Sequence, residues 1–108
     1  MANNAYKAIA HPVRRTIIER LSEGPATVGQ ATRDLGVSKS GISKHLKVLE
    51  DAGVVSRVLD GRTHRLSLDV APLDEASAWL ELQRSRWSLM LDTLEAYVAE
   101  KGDREEQA

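Results

Sequence analysis

The stretch from Leu35 to Val55, LGVSKSGISKHLKVLEDAGVV, decides the fold because it combines a turn, a helix and the start of a strand. Gly36 supplies a flexible turn residue, and Ser38 stands where a helix N-cap is expected. Apolar residues then recur at i, i+4 and i+7, namely as Ile42, Leu46 and Leu49. This spacing predicts one buried helical face, and Gly53 is the residue at which the helix ends.

The other side of this predicted helix carries lysines and small hydroxyl side chains. Acidic residues come only near its end, and before them it presents Ser40, Ser43, Lys44 and Lys47. Lysine suits phosphates, and serine suits phosphates or base edges. We therefore interpret it as a helix that enters the major groove of DNA. The alternative is an ordinary solvent-exposed helix that happens to be basic.

Two helices are predicted before this stretch. The first spans Pro12 to Ser22, with Ile17 and Leu21 on its apolar side. Thr27 and Gln30 form a capping box that opens a second helix of about eight residues, ending at Gly36. Two helices joined by a tight glycine-containing turn, the second with a basic outer side, predict a helix-turn-helix.

A β-hairpin is predicted directly after the basic helix. In Val54–Val58 and Thr63–Leu68, apolar residues recur with the period of 2 that is typical of strands, instead of the helical period of 3.6. Between these segments, Asp60-Gly61 is a strong turn signal. Three arginines cluster around the hairpin, namely Arg57, Arg62 and Arg65. We interpret it as a wing that contacts DNA. The alternative is an edge hairpin whose arginines keep it soluble.

A long last helix is predicted from Pro72 to about Lys101, which corresponds to roughly 45 Å. Its large apolar residues follow the helical period and include Trp79, Leu80, Trp87, Leu91, Leu94 and Val98. A domain of about 70 residues cannot cover so long a helix, so we expect a homodimer through these residues, with Ile9 contributing. The alternative is a self-contained helix folded back on the first one.

The distribution of charge also favours a nucleic-acid surface. The chain of 108 residues has a net charge of −1, but residues 11–65 hold ten Lys/Arg and six Asp/Glu. Residues 66–108 hold four Lys/Arg and ten Asp/Glu. Such asymmetry indicates that one part of the chain alone meets nucleic acid.

The composition restricts the other classes of function. The chain has no cysteine, which excludes disulfides, thiolate catalysis and cysteine-based metal sites. It has neither a signal-peptide core nor an apolar run of about 18 residues, so we expect a cytoplasmic protein without a membrane partner. No catalytic triad, phosphate-binding loop or histidine pair at i, i+4 is found. We therefore expect no enzyme, catalytic residue, cofactor or metal site.

Together these elements predict a mainly α fold with a small β-hairpin. Residues 1–70 would form a winged helix-turn-helix DNA-binding domain, 71–101 a dimerisation helix and 102–108 a disordered tail. Within the first domain, the recognition helix spans 38–52 and the wing 54–68. The predicted DNA contacts are Ser38, Lys39, Ser40, Ser43, Lys44, His45, Lys47, Arg57, Arg62, Thr63 and Arg65.

The ordered set of motifs resembles the ArsR/SmtB family of bacterial winged-helix repressors over about residues 2–98. The matching motifs are AIAHPVRR (8–15), TVGQ (27–30), LGVS (35–38), Ser43, His45-Leu46 and Leu49, AGVV (52–55) and Gly61-Arg62. The resemblance implies a homodimeric repressor that binds an imperfect palindromic operator in double-stranded DNA. In many members an effector releases the DNA.

One departure from the family concerns metals. The positions that correspond to the family's metal-binding thiolates are Thr27 and Gly29, and the last helix contains no histidine. Carboxylates alone make poor zinc or nickel sites, so metal sensing does not carry over. Two alternatives stay open: a sensor of an unidentified small-molecule effector, and a winged-helix protein-interaction module without DNA binding.

Overall fold

Five helices and three short strands make up the part of the chain that the structure describes. The computed structural model describes the backbone of residues 3–107 and the side chains of residues 4–102. The helices are α1 (Asn3–Ile9), α2 (Pro12–Ser22), α3 (Val28–Ala31), α4 (Lys39–Asp51) and α5 (Ala71–Gln107). The strands are β1 (Ala26–Thr27), β2 (Val55–Asp60) and β3 (Thr63–Leu68).

Helix α4 is the predicted recognition helix, and its boundaries confirm the prediction. The Oγ of Ser38 accepts a hydrogen bond from the backbone N–H of Gly41 at 3.1 Å, so Ser38 is the N-cap. A Cβ at Gly41 would lie 2.5 Å from a methyl carbon of Val37, so glycine allows the preceding turn to pack closely. At the other end, Gly53 adopts a φ of +73°, which glycine reaches without steric cost.

The apolar side of α4 lies at the centre of the hydrophobic core. Leu49 is fully buried and Leu46 is 2% exposed. They belong to one cluster with Ile17 of α2 and Leu66 of β3. Burial of each such side chain stabilises the fold by about 1.5–3 kcal/mol. The core therefore fixes the rotation of α4 about its axis and leaves its serines and lysines outside.

The hairpin forms as predicted but belongs to a three-stranded antiparallel sheet in the order β1-β3-β2. Asp60 pairs with Thr63, so the turn is Gly61-Arg62 and not Asp60-Gly61. The additional strand β1 pairs Ala26 with Leu66. The sequence does not predict β1, because two residues are too few to show the alternation of apolar and polar side chains that indicates a strand.

Helix α3 has four residues, so the prediction of about eight was wrong, although the capping box of Thr27 and Gln30 is confirmed. The guanidinium of Arg20 donates to the carbonyl oxygens of Ala31 and Arg33 at 3.2 and 2.8 Å. These bonds satisfy carbonyl groups at the end of the helix. Asp34 then takes a left-handed φ of +57°, which cannot continue a helix.

Helix α5 is longer than predicted, because its backbone is helical from Ala71 to Gln107. The predicted end at Lys101 was too early, and helix replaces the predicted tail up to Gln107. Strong helix formers on both sides of Gly102 offset the roughly 1 kcal/mol that glycine costs in a helix. Ala108, the last residue of the predicted tail, lies outside the described residues.

The chain divides into two units, the first ending at Ala76 and the second beginning at Ser77. The division was predicted after residue 70, but the first turns of α5 pack within the first unit. Ala76 is 4% exposed, and its carbonyl accepts a hydrogen bond from the hydroxyl of Tyr6 at 3.3 Å. Leu73 packs on the same core.

A polar contact joins α2 to α4. Nη1 of Arg14 lies 3.0 Å from Nδ1 of His45, and the rings of His11 and His45 are 4.4 Å apart between centroids. Because a guanidinium only donates, Nδ1 of His45 accepts, and we assign the neutral form with its proton on Nε2. Burial lowers the pKa of His45 below its ordinary 6.5, and repulsion from His11 and Arg14 lowers it further.

The lowered pKa of His45 predicts a loss of stability in mild acid. Below about pH 6.5 the unfolded chain binds a proton at this residue more readily than the folded chain, so acid favours unfolding. We expect the free energy of unfolding to fall as the pH is lowered through 6.5, the ordinary pKa of histidine, and to go on falling until the folded chain also binds the proton. His45→Gln, which keeps an acceptor for Arg14, should lose part of this dependence in urea denaturation.

The matched control is His64→Gln, which replaces an exposed histidine of the wing. It should keep the pH dependence of the parent protein. An NMR titration midpoint of the His45 ring above its ordinary pKa of 6.5 would contradict the assignment.

The core packing predicts that substitution of two leucines of the first unit has very different effects on the free energy of unfolding. Leu49→Ala removes a fully buried side chain and should lower the free energy of unfolding by about 2–5 kcal/mol. Leu59→Ala, at a wing residue that is 61% exposed, should change it by roughly 0.5 kcal/mol or less. Urea denaturation at one protein concentration measures both, and equal effects would show that α4 is not fixed by this core.

Candidate nucleic-acid interface

The N-terminal half of α4 presents a polar surface without carboxylates. Lys39, Ser40, Ser43 and Lys44 are all exposed. The hydroxyls of Ser38 and Ser40 lie 3.2 Å apart. The N-terminus of a helix also carries a partial positive charge, and its free N–H groups favour phosphate. This end of α4 therefore combines cations, hydroxyl donors and a favourable helix dipole.

The carboxylates of α4 lie at its C-terminal end and are paired with cations. Nε and Nη2 of Arg57 lie 2.8 and 2.6 Å from one oxygen of Glu50, so this pair joins α4 to β2. Nζ of Lys47 lies 3.3 Å from Asp51, with both side chains more than half exposed. An exposed pair of this kind contributes little free energy, so Lys47 can exchange Asp51 for another anion.

The wing supplies further cations. Arg62, Thr63 and Arg65 are exposed around the turn between β2 and β3. Among the residues that the structure describes, Arg62 and Arg65 form no ion pair within 4.0 Å. The wing can therefore offer two unneutralised guanidinium groups.

Ten of the eleven predicted DNA contacts are exposed residues of α4, its N-cap and the wing. They are Ser38, Lys39, Ser40, Ser43, Lys44, Lys47, Arg57, Arg62, Thr63 and Arg65. Arg57 is bound to Glu50, as described above. His45 is half-buried against α2, where Arg14 and His11 contact its ring and burial lowers its pKa. The contacts of His45 in the structure are thus with Arg14 and His11, and they connect α4 to α2.

Two side-chain pairs, Glu50 with Arg57 and Arg14 with His45, were not predicted from the sequence, because no local spacing of residues indicates them. Glu50 and Arg57 are separated by the end of a helix and the start of a strand. Arg14 and His45 are 31 residues apart. Both pairs become neighbours only when the core brings α2, α4 and the sheet together.

The described residues contain neither a candidate metal site nor a candidate membrane span. No three histidine, aspartate or glutamate side chains in this part of the chain come together as a metal site. Over the same residues, no helix is both long enough and apolar enough to span a bilayer.

Comparison with known proteins agrees with this geometry. A family described as a helix-turn-helix domain matches residues 9–58. The HTH-type transcriptional regulator Rv2034 of Mycobacterium tuberculosis is 37% identical over 101 residues, covering 94% of this chain and 92% of that protein. The transcriptional repressor SdpR of Bacillus subtilis is 36% identical over 78 residues, covering 72% of this chain and 87% of that protein.

Solved structures show the same relationship. The ArsR family transcriptional regulator RHA00566 aligns with a TM-score of 0.73 and 32% identity, covering 80% of this chain and 94% of that one. An ArsR-like transcriptional regulator from Rhodococcus sp. RHA1 aligns with a TM-score of 0.78 and 25% identity, covering 89% and 88%. With its helix-turn-helix, wing and exposed basic helix, the chain belongs to the ArsR family of winged helix-turn-helix transcriptional regulators.

Proposed function

We propose that this regulator is a homodimeric repressor that binds a palindromic operator through α4 and the wing. The observation that carries the proposal is the distribution of charge on α4. Its N-terminal half exposes lysines and serines, whereas Glu50 and Asp51 at its other end are paired with cations. A recognition helix contacts base edges with its N-terminal residues, which are the residues left free of carboxylates here.

The exposed residues would have different roles. Lys44, Lys47 and Arg62 are long cations that suit phosphates, so their effect would be largely independent of sequence. Ser40 and Ser43 are short, and they reach base edges only if α4 enters the groove closely. Specificity would therefore depend on the serines and affinity on the cations.

A protein-interaction module is less well supported. Such a module would present apolar side chains on the outer side of α4. The large hydrophobic side chains of α4 are instead buried or half-buried, namely Ile42, Leu46, Val48 and Leu49. The large exposed apolar residues lie instead on the wing, around α1 and along α5.

The apolar side of α5 supports the homodimer. Eight large apolar or aromatic residues fall within about 120° of the helix circumference, at about 100° per residue. They are Trp79, Leu80, Trp87, Met90, Leu91, Leu94, Tyr97 and Val98, with exposures between 49% and 65%. A continuous apolar surface of this kind on a water-soluble domain indicates an interface. Ile9, at the end of α1, is 36% exposed and remains a proposed contributor.

The proposed cation roles predict a change in salt dependence. Lys44→Ala, Lys47→Ala and Arg62→Ala should each weaken binding to every DNA sequence, because each removes a phosphate contact. The slope of log affinity against log salt should become smaller by about one for each variant. A competition assay at two salt concentrations, with the selected operator and an unrelated duplex, measures both effects.

Arg84→Ala is the matched control, because it removes an exposed cation of α5 that is paired with Glu81. It should bind the operator like the parent protein. If the three interface variants also bind like the parent, α4 and the wing are ordinary solvent-exposed surface and the proposed interface is wrong.

The proposed dimer predicts that association and stability fall together. Trp87→Ala combined with Leu91→Ala should lower the association constant, measured by sedimentation equilibrium, and the melting temperature, because dimerisation stabilises the folded chain. The two α4 helices of the dimer should lie roughly 34 Å apart, one turn of DNA.

Leu82→Ala combined with Leu89→Ala is the control, because both leucines are exposed on α5 outside the apolar side. This pair should leave association nearly unchanged. A parent protein that sediments as a folded monomer at micromolar concentration would refute the dimer.

A further inference from the structure

A cleft of about 430 Å³ lies between α3, α4 and β2 in the first unit. Its apolar walls are Val28 of α3, Val37 of the turn, and Ile42 and Leu46 of α4. Leu46 is almost fully buried, whereas the other three are half-buried. Partial exposure of several branched apolar side chains around one opening leaves a surface that an apolar ligand group can cover.

The polar residues around this cleft are basic or neutral. Lys39 and Arg57 contribute two cations, and Ser43 contributes a hydroxyl group, but no carboxylate lines the cleft. Arg57 uses Nε and Nη2 to hold Glu50, so its Nη1 remains for another acceptor. Lys39 forms no ion pair with any residue that the structure describes. Because Glu50 neutralises Arg57, the unpaired positive charge at the cleft is that of Lys39, and this charge favours an anion.

We propose that this cleft is a regulatory site for a small organic carboxylate with an apolar body. The apolar body would cover Val28, Val37 and Ile42, and the carboxylate would accept hydrogen bonds from Lys39, Ser43 or Nη1 of Arg57. A volume of 430 Å³ lies within the range of about 300–1,000 Å³ that small-molecule sites occupy. An inorganic phosphate would satisfy the cations but leave the apolar walls uncovered.

The regulatory part of this proposal rests on the proposed function, because the cleft and the DNA surface share residues. Lys39 and Ser43 line the cleft, and both also belong to the proposed DNA contacts of α4. A carboxylate bound to them occupies the donors that a phosphate or base would need. Ligand and DNA should therefore exclude each other, and each should weaken binding of the other by the same factor.

Octanoate is a suitable probe, with two matched control compounds. Acetate has the same charge without the apolar body, and octanol has the same body without the charge. The full-length protein without DNA is titrated with each compound, and binding is followed by NMR of methyl groups. We expect saturable shifts at Val28, Val37, Ile42 and Leu46 with octanoate, weaker ones with octanol and none with acetate.

Two lysine variants test the site. Lys39→Gln should raise the octanoate dissociation constant roughly threefold, as expected for one exposed ion pair. Lys44→Gln removes an exposed lysine of the same helix that does not line the cleft, so it should leave the constant unchanged. Equal affinity of the two variants would overturn the assigned carboxylate contact, as would equal affinity for octanoate and octanol.

The location of the shifts tests the cleft itself. Shifts confined to Leu91 and Leu94 would show that octanoate covers the apolar side of α5, which would overturn the proposal. An absence of saturable shifts at the cleft methyl groups would also overturn it. Folding of each variant is checked in the same spectra, so a disrupted fold cannot be mistaken for lost binding.

A DNA titration then separates the regulatory site from the proposed function. With octanoate at ten times its dissociation constant, the apparent dissociation constant for the operator should rise at least about elevenfold over that in equal acetate. An unchanged DNA affinity would overturn the regulatory role. Octanoate binding in the cleft of a protein that binds no operator at all would instead refute the proposed function while leaving the ligand site in place.

Discussion

The burial of Leu46 and Leu49 on the inner side of α4 is the interaction on which the proposed DNA surface depends. Both side chains pack in one cluster with Ile17 and Leu66, which are fully buried. A shift of α4 by one residue would rotate it by about 100° and expose leucine at about 1.5–3 kcal/mol per side chain. The same apolar spacing that builds the core therefore selects which residues α4 presents to solvent, so one helix contributes to the core and to the proposed DNA surface.

Polar contacts complete the placement of α4 at both its flanks. On one side Arg14 and His11 contact His45, and on the other Glu50 binds Arg57 of β2. The Glu50 pair has a second consequence, because it neutralises a carboxylate that would otherwise oppose a DNA phosphate. The carboxylate of Asp51 is likewise paired with Lys47, within the same helix. The carboxylates of α4 thus lie at its C-terminal end, whereas a recognition helix contacts base edges in the major groove with its N-terminal residues.

Local signals in the sequence were sufficient for the boundaries of α4 and for the presence of the hairpin, because caps and turn glycines act within a few residues. They did not locate the end of β2, which was predicted at Val58 and lies at Asp60. Features that depend on distant partners were not predictable. The end of α3 depends on Arg20, which lies 11 and 13 residues from the carbonyl groups that it binds. Strand β1 exists only because β3 pairs with it. His45 lies at the border between the apolar and the polar side of α4, so the sequence alone does not show where its ring points. In the structure its ring contacts Arg14 of α2.

An acidic chain that binds DNA must limit where DNA can approach. Residues 66–108 carry ten Asp/Glu against four Lys/Arg, and nine of these carboxylates are in α5. Negative side chains repel DNA phosphates. Attraction of a duplex is therefore expected mainly from the basic part of residues 11–65, where ten Lys/Arg oppose six Asp/Glu. Weak attraction over the rest of the surface would keep non-specific binding low. In the proposed interface, affinity would come from a few cations on α4 and the wing that release counterions from DNA, and it would therefore decrease steeply with salt. In the proposed complex the acidic part of the chain would disfavour other orientations on DNA, and the basic surface of α4 and the wing would favour one.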